Sequence, residues 1–270
     1  MHALARLMAC VALLCSHSSV AYERAISLAP HITELVYAIE AQATLIATVE
    51  RSDYPAAALD LPRVGDGISF SAERLLALKP DVILAWQPSP ALAALEQQLA
   101  HQAIPVHYIN PQSLEDMGRV AQQLGELLNH EPSAHAFAQQ WQQQLEDLRA
   151  HYFTAAPITL FIALHSKPFY SLNDPIVNDV LHTCGAKNWL PATSAKAPNI
   201  NLEQLLKSPM DGLIYSHWDP ELEHTHALLS QAYGRPLPHF QVNEDHFYRA
   251  GPRLLMATRQ LCEALSTSKR

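Results

Sequence analysis

The sequence predicts an α/β protein of two lobes, each with a mostly parallel central sheet flanked by helices, joined by one long interlobe helix and facing each other across a cleft. Three observations predict it. Short apolar segments alternate with segments of helical periodicity, the signature of parallel strands covered by helices. One stretch, 132–152, has no Gly and no internal Pro after its start, and its apolar residues recur at helical spacing. A short pattern also occurs twice, SAERLLALKPDVIL at 71–84 and NLEQLLKSPMDGLI at 201–214.

The elements follow in order. Residues 1–21 read as a secretory signal: Arg6 supplies the positive start, 7–14 a short apolar run, and Ser19, Val20 and Ala21 a small-residue exit. The run is too short to span a bilayer, and no later run is long enough. In the first lobe, 22–131, strands are predicted at 25–28 (stopped by Pro30), 44–49, 81–86 and 106–109, with helices at 33–39, 92–100 and 114–128. The interlobe helix occupies 132–153, where Ala134, Phe137, Ala138, Trp141, Leu145 and Leu148 form its apolar stripe. A second α/β lobe, 154–270, opens with a strand at 158–163. A long helix bends less readily than a loop, so limited lobe closure is expected.

Composition narrows the class of function. The 270 residues are 49% hydrophobic and 16% charged, which is globular. A formal net charge of −8 excludes the basic footprint of a nucleic-acid binder. Of four cysteines, Cys10 and Cys15 leave with the signal, so Cys184 and Cys262 remain. An even pair in an oxidising compartment suggests a disulfide, with two buried thiols as the alternative. Such a bridge closes a long loop and contributes on the order of 4 kcal/mol in the chain-entropy model.

The repeat points to candidate residues. In each copy a capping residue opens a short helix, a Leu-Leu pair packs it, a Pro ends it, and an Asp leads into a strand. Glu73 and Glu203 fall in the first helical turn, where they interact favourably with the helix dipole and also offer a paired dock for a partner's arginines. Each copy is followed by a tryptophan, Trp86 and Trp218, near the strand ends where open α/β sheets bind ligands; the alternative for each is the core. In the loop at 243–252, Asp245 and Arg249 are suited to hydrogen-bond amides or a carboxylate, or to pair with each other, and Phe247 or Tyr248 to stack on a flat ligand. The 15 histidines are scattered, without metal-binding spacing. His224 and His226 read as surface residues, while His165 and His217 lie near strand ends. No nucleophile elbow, P-loop or dinucleotide fingerprint occurs, so no catalytic residue, metal or resident cofactor is assigned.

Several segments together resemble a known family: SDYP at 52–55, ERLLALKPDVILAW at 73–86, DVLHTCG at 179–185, DHFYRAGPR at 245–253 and QLCEAL at 260–265. They are similar to the cobalamin-binding periplasmic proteins of bacterial ABC importers, in the helical-backbone class that also serves siderophores and haem. The resemblance covers nearly all of the mature chain. It implies a monomeric periplasmic receptor carrying cobalamin as cargo. It implies further that Glu73 and Glu203 dock on the permease, that Asp245 and Arg249, with His246 and Phe247 beside them, meet the corrin edge, that Trp86 lines the cleft, and that Cys184 and Cys262 are bridged. Arg51 stands where the family has an aromatic residue, and aromatics near Gly67 and Ala197 are lost; Arg51 offers a guanidinium face instead. The rival readings are a haem or iron-chelate receptor of the same class, and a secreted metalloenzyme using His165, His217 or His246.

Overall fold

The computed structural model describes residues 21–192 and 194–268; residues 1–20 of the predicted signal lie outside them. In the first lobe, β1 (Ala25–Ser27), β2 (Leu45–Ala47), β3 (Val82–Ala85) and β4 (Val106–Tyr108) form a parallel sheet in the order β2-β1-β3-β4. In the second, β5 (Ile158–Ala163) leads to a hairpin of β6 (His165–Ser166) and β7 (Phe169–Tyr170). It pairs in parallel with β8 (Ala186–Asn188) and β9 (Gly212–Tyr215), and β10 (His239–Gln241) completes the order β10-β9-β5-β8. Each sheet therefore has the same winding. Its first strand has the second on one side and the third and fourth on the other.

The repeat has a structural counterpart. Ser71 caps α2 (Ala72–Ala77), which follows α1 (Pro30–Ala38) in the chain. Asn201 caps a later short helix, Leu202–Lys207, through a reciprocal capping box with Gln204. The aspartate that ends each copy has one task in both lobes. Asp81 accepts from the backbone N–H of Glu23 and Arg24 at 2.8 and 3.0 Å, and Asp211 accepts from Thr159 at 2.8 Å. Each carboxylate ties the start of the third strand to the first, satisfying donors where the ladder begins.

Two local differences from the predicted elements have physical causes. Pro30 ends the strand but also opens α1, because its fixed φ and missing donor suit the first helical turn. The helix expected from 114 begins later, as α4 (Asp116–Leu128), following α3 (Pro90–Ala100). Leu114 is held off the helix: its N–H donates to Asp179 at 2.8 Å, and its carbonyl accepts from the Trp141 indole at 2.6 Å.

The long helix is α5 (Glu131–Tyr152). Its apolar stripe enters a core that also holds Leu84 of β3, Ile162 of β5, Val180 of α6 (Pro175–Thr183) and Leu261 of the terminal helix. The remaining helices are α7 (Leu202–Lys207), α8 (Pro220–Ala232), the short α9 (Glu244–Phe247) and α10 (Leu254–Ser268). One core thus runs through both lobes, while each sheet's other face has its own cluster. Arg149 of α5 pairs with Asp179 of α6 at 3.0 Å and with Glu115, and Cys184 is bridged to Cys262 of α10.

α4 and α5 pack through small residues. Gly118 faces Ala138 and Gly125 faces Ala134. A Cβ at Gly118 would sit 3.4 Å from the Ala138 methyl, an ordinary contact, whereas one at Gly125 would collide with Ala134. Gly125→Ala is expected to cost about 1–3 kcal/mol by forcing the helices apart. Gly118→Ala should be neutral or stabilising, since a helix-interior glycine disfavours the helix by ~1 kcal/mol relative to alanine. Urea denaturation of the two variants checks the contrast.

Candidate ligand-binding cleft

In open parallel sheets, ligands sit beyond the strand ends where the winding reverses. Here both reversals open into the space between the lobes. Between β1 and β3, residues Leu28 to His31 and Ala85 to Gln87 line a cavity of about 650 Å³. Between β5 and β9, Leu164, His165, Ser216 and His217 line a second of about 520 Å³. Both cavities also touch Pro30, Tyr248 and Arg249. They are two chambers of one cleft, divided by the ridge these three residues make.

The first chamber is mainly apolar. The Trp86 indole is oriented by donating to Asn110 Oδ1 at 3.0 Å, and His31 meets its ring edge-on at 5.4 Å. The opposite wall is a turn over 65–70, in which Asp66 accepts from the backbone of Ile68 and Ser69 at 2.8 and 2.7 Å. Those bonds hold the Asp66 carboxyl below its usual range. The turn leaves Ile68 81% exposed beside Phe70, so aliphatic surface stands near Gly67 where an aromatic was expected.

The rim between the chambers is a network of charges. Arg249 pairs with Asp245 at 2.5 Å and lies 3.7 Å from Glu34 and 3.8 Å from Asp53. Arg253 makes a two-pronged contact with Glu34 at 2.6 and 2.8 Å and lies 4.4 Å over the Tyr54 ring. Arg51 reaches from the first lobe to Asp245 at 3.2 Å and Glu244 at 3.4 Å. Its backbone is left-handed, with φ of 62°, a conformation costly for a residue with a side chain. A buried hydroxyl chain anchors its loop: Thr33 contacts Ser27 and Thr48, and Thr48 donates to Ser52 at 2.8 Å.

The structure brings Arg51, Trp86, Asp245 and Arg249 to the cleft lining. Phe247 is fully buried, and of the two aromatics in that loop Tyr248 faces both chambers. His246 sits behind the rim, its pKa lowered first by burial and then by Arg253. Trp218 packs instead in an aromatic group of the second lobe, 4.9 Å from His239 and 5.4 Å from His226. The reason is register. Trp86 follows its strand directly, the corresponding place in the second lobe is Ser216, and Trp218 lies two residues on, turned beneath α8. The predicted surface residue His226 is half-buried there and contacts the Leu237 carbonyl at 2.7 Å. Glu73 and Glu203 are both exposed on their short helices, Glu203 pairing with Lys207 at 2.6 Å. His165 and His217 line the second chamber. Among the described residues no group of three or more His, Cys, Asp or Glu is gathered to hold a metal ion.

Known proteins share this plan. Residues 26–231 match the sequence model for periplasmic binding proteins. The chain belongs to that family. It is 35% identical to a vitamin B12-binding protein of Pectobacterium atrosepticum, over 95% of this chain and 93% of the relative. It is 32% identical to one from Yersinia pestis, over 92% and 88%. The periplasmic vitamin B12-binding protein BtuF of Vibrio cholerae superposes with a TM-score of 0.79 at 29% identity, covering 92% of this chain and 98% of that one. The haem-binding protein BhuT, solved with two haems, shares the fold at a TM-score of 0.74 and 20% identity, over 90% and 98%.

His31, which no sequence motif marks, is 6% exposed, and among the described residues its Nε2 has no hydrogen-bond partner. Burial first, then Arg249, pull its pKa down to about 4. The folded state keeps this imidazole neutral while an unfolded chain takes up a proton from about pH 6.5 downward. Its contribution is therefore unpenalised above that pH and erodes as pH falls toward 4. The loss is on the order of 3 kcal/mol. Denaturation midpoints of wild type and His31→Gln, compared between pH 7 and pH 4, should diverge by this pattern, with the variant less sensitive to acid.

Proposed function

We propose that this protein is a periplasmic receptor that captures cobalamin or a related corrinoid between its lobes and hands it to the permease of an ABC importer. The observation that carries the reading is the cleft. Both sheets turn their switch points toward it, and it combines an apolar, Trp86-bearing chamber with a rim of arginines and carboxylates. A flat macrocycle fringed with amides needs such a site: apolar wall for its faces, fixed donors and acceptors for its edge. The vitamin B12-binding relatives, matched over almost the whole chain, support the same ligand.

A haem reading has support from relatives of the same fold. The groups in the cleft favour the corrinoid. The Tyr248 phenol is pushed above the ordinary tyrosine range by burial, with Ser216 opposing, so the ridge between the chambers presents a neutral group. Each arginine on the rim is also engaged by carboxylates, which weakens its pull on a propionate.

Secretion to the periplasm rests on the sequence of 1–21 and on the family; among the described residues no helix is long and apolar enough to cross a membrane. Glu73 and Glu203, one exposed on each lobe, are the proposed contacts with permease arginines. Trp218, in this reading, supports the second chamber from behind.

Isothermal titration of residues 22–270 with cyanocobalamin should saturate at one ligand per chain without turnover. Trp86→Ala should weaken it at least tenfold, since a buried aromatic contact is worth about 1.5–3 kcal/mol. Absence of binding to the folded wild type would discard the reading. Replacing both Glu73 and Glu203 by Lys should abolish uptake in cells and leave the titration unchanged; surviving uptake would reduce those carboxylates to helix caps.

A further inference from the structure

The buried part of the rim is electrically closed. Arg249 and Arg253 have side chains only 13% and 16% exposed, and they face Glu34, 3% exposed, and Asp245, 33% exposed. Two guanidinium charges thus meet two carboxylate charges within one connected group. Arg51 is matched by Glu244 and shares Asp245 with Arg249, and Asp53 adds one more negative charge near Arg249. Glu34 lines neither chamber; it stands behind the ridge, in the first helical turns of α1, and reaches the cleft only through Arg249.

This arrangement has a consequence for ligand choice. An arginine without a carboxylate partner at a desolvated rim would attract a ligand carboxylate strongly and bidentately. An arginine already paired keeps spare N–H groups for a neutral carbonyl but has no net charge to offer. A ligand carboxylate brought to Arg249 would instead meet the like charge of Asp245 at the same edge, with Glu34 and Asp53 already 3.7 and 3.8 Å from that guanidinium, which is costly. The exclusion comes from the acids behind and beside the arginines, not from the arginines themselves.

We propose that Glu34 and Asp245 are specificity-determining residues: by neutralising Arg249 and Arg253 they make the cleft select uncharged, amide-bearing macrocycles and reject those bearing carboxylates at the same edge. Glu34 acts through Arg249 and is a positioning residue; Asp245 lines the cleft directly. The inference rests on the corrinoid reading of the site and adds the basis of its charge selectivity.

The test uses a matched ligand series, cyanocobalamin and its separable monocarboxylate derivatives, in which one peripheral propionamide is hydrolysed. Macrocycle, metal and size are constant, so the affinity ratio reports one exchange, a neutral amide for a carboxylate that adds a charge and loses an N–H donor. Full-length mature wild type should bind cyanocobalamin at least tenfold more tightly than the derivatives. Glu34→Gln, which keeps the shape of the side chain and removes its charge, should bring that ratio down about tenfold or invert it for one isomer or more. Asp245→Asn, at a more exposed position that tolerates change, should move the ratio in the same direction even if the Glu34 variant does not fold. Wild type that binds cyanocobalamin while the ratio is the same in every folded variant would overturn this inference and leave the receptor standing. Folded wild type that binds no member of the series would overturn the receptor reading, and this inference with it.

Discussion

The cleft has a definite shape because the lobes are tied behind it by one partly buried exchange. Asp179, on a helix of the second lobe, accepts the N–H of Leu114 in the first lobe and at the same time holds Arg149 of the long helix. Arg149 in turn reaches Glu115, next to Leu114. Three segments distant in sequence are therefore locked through one carboxylate and one guanidinium. Asp179 and Arg149 are 16% and 28% exposed, so loss of either partner would cost more than losing a fully exposed pair. The Trp141 indole fixes the Leu114 carbonyl from the same helix. The disulfide then fastens α10 to the end of the helix carrying Asp179. Everything at the cleft, from the Arg51 loop to the Tyr248 ridge, is positioned relative to this tie.

Much of that design was legible in the sequence, and for identifiable reasons. The interlobe helix has a continuous apolar stripe and no breaker, and it appears as α5 within a residue of its expected start. The repeat was visible because capping, packing and strand entry each demand a particular residue type at a fixed offset. Asp81 and Asp211 make it more than a resemblance of letters, since both tie the third strand to the first. Trp86 could be placed because it follows β3 directly. Trp218 could not, because a shift of two residues past a strand end decides between cleft and core, and composition carries no information on that shift.

What stayed hidden was chiefly pairwise. Glu34 reads as one more acid on an amphipathic helix, and only the fold brings it to Arg253, far along the chain. His31 reads as a lone histidine after a proline, yet Gly251 lets the backbone of the other lobe come so near that a Cβ there would stand 3.1 Å from the His31 Cβ. Phe247 and Tyr248 are neighbours of similar character, and the rotation of about 100° between them sends one ring into the core and the other to the cleft. Burial and partner identity, unlike periodicity, are properties of the assembled molecule.

The ties at the back and at the mouth of the cleft differ in kind. Across the mouth, Lys196 donates to Gln87 at 3.2 Å, and Arg51 pairs with Glu244 and Asp245 through a side chain that is 63% exposed. Exposed pairs of this sort are worth about 0–1 kcal/mol, so solvent and thermal motion break them readily. The left-handed backbone at Arg51 lowers the cost of releasing that loop further. The back is held by partly buried charges and a shared, fully buried apolar core, and the core does not yield for so little. Strength is graded from hinge to lip. A ligand entering such a cleft would displace the weak lateral contacts before those at the back, and the limited closure expected of a long interlobe helix would leave recognition to surfaces already formed. For a rigid, flat ligand that is an economical arrangement, because little of the binding free energy is lost to ordering the protein.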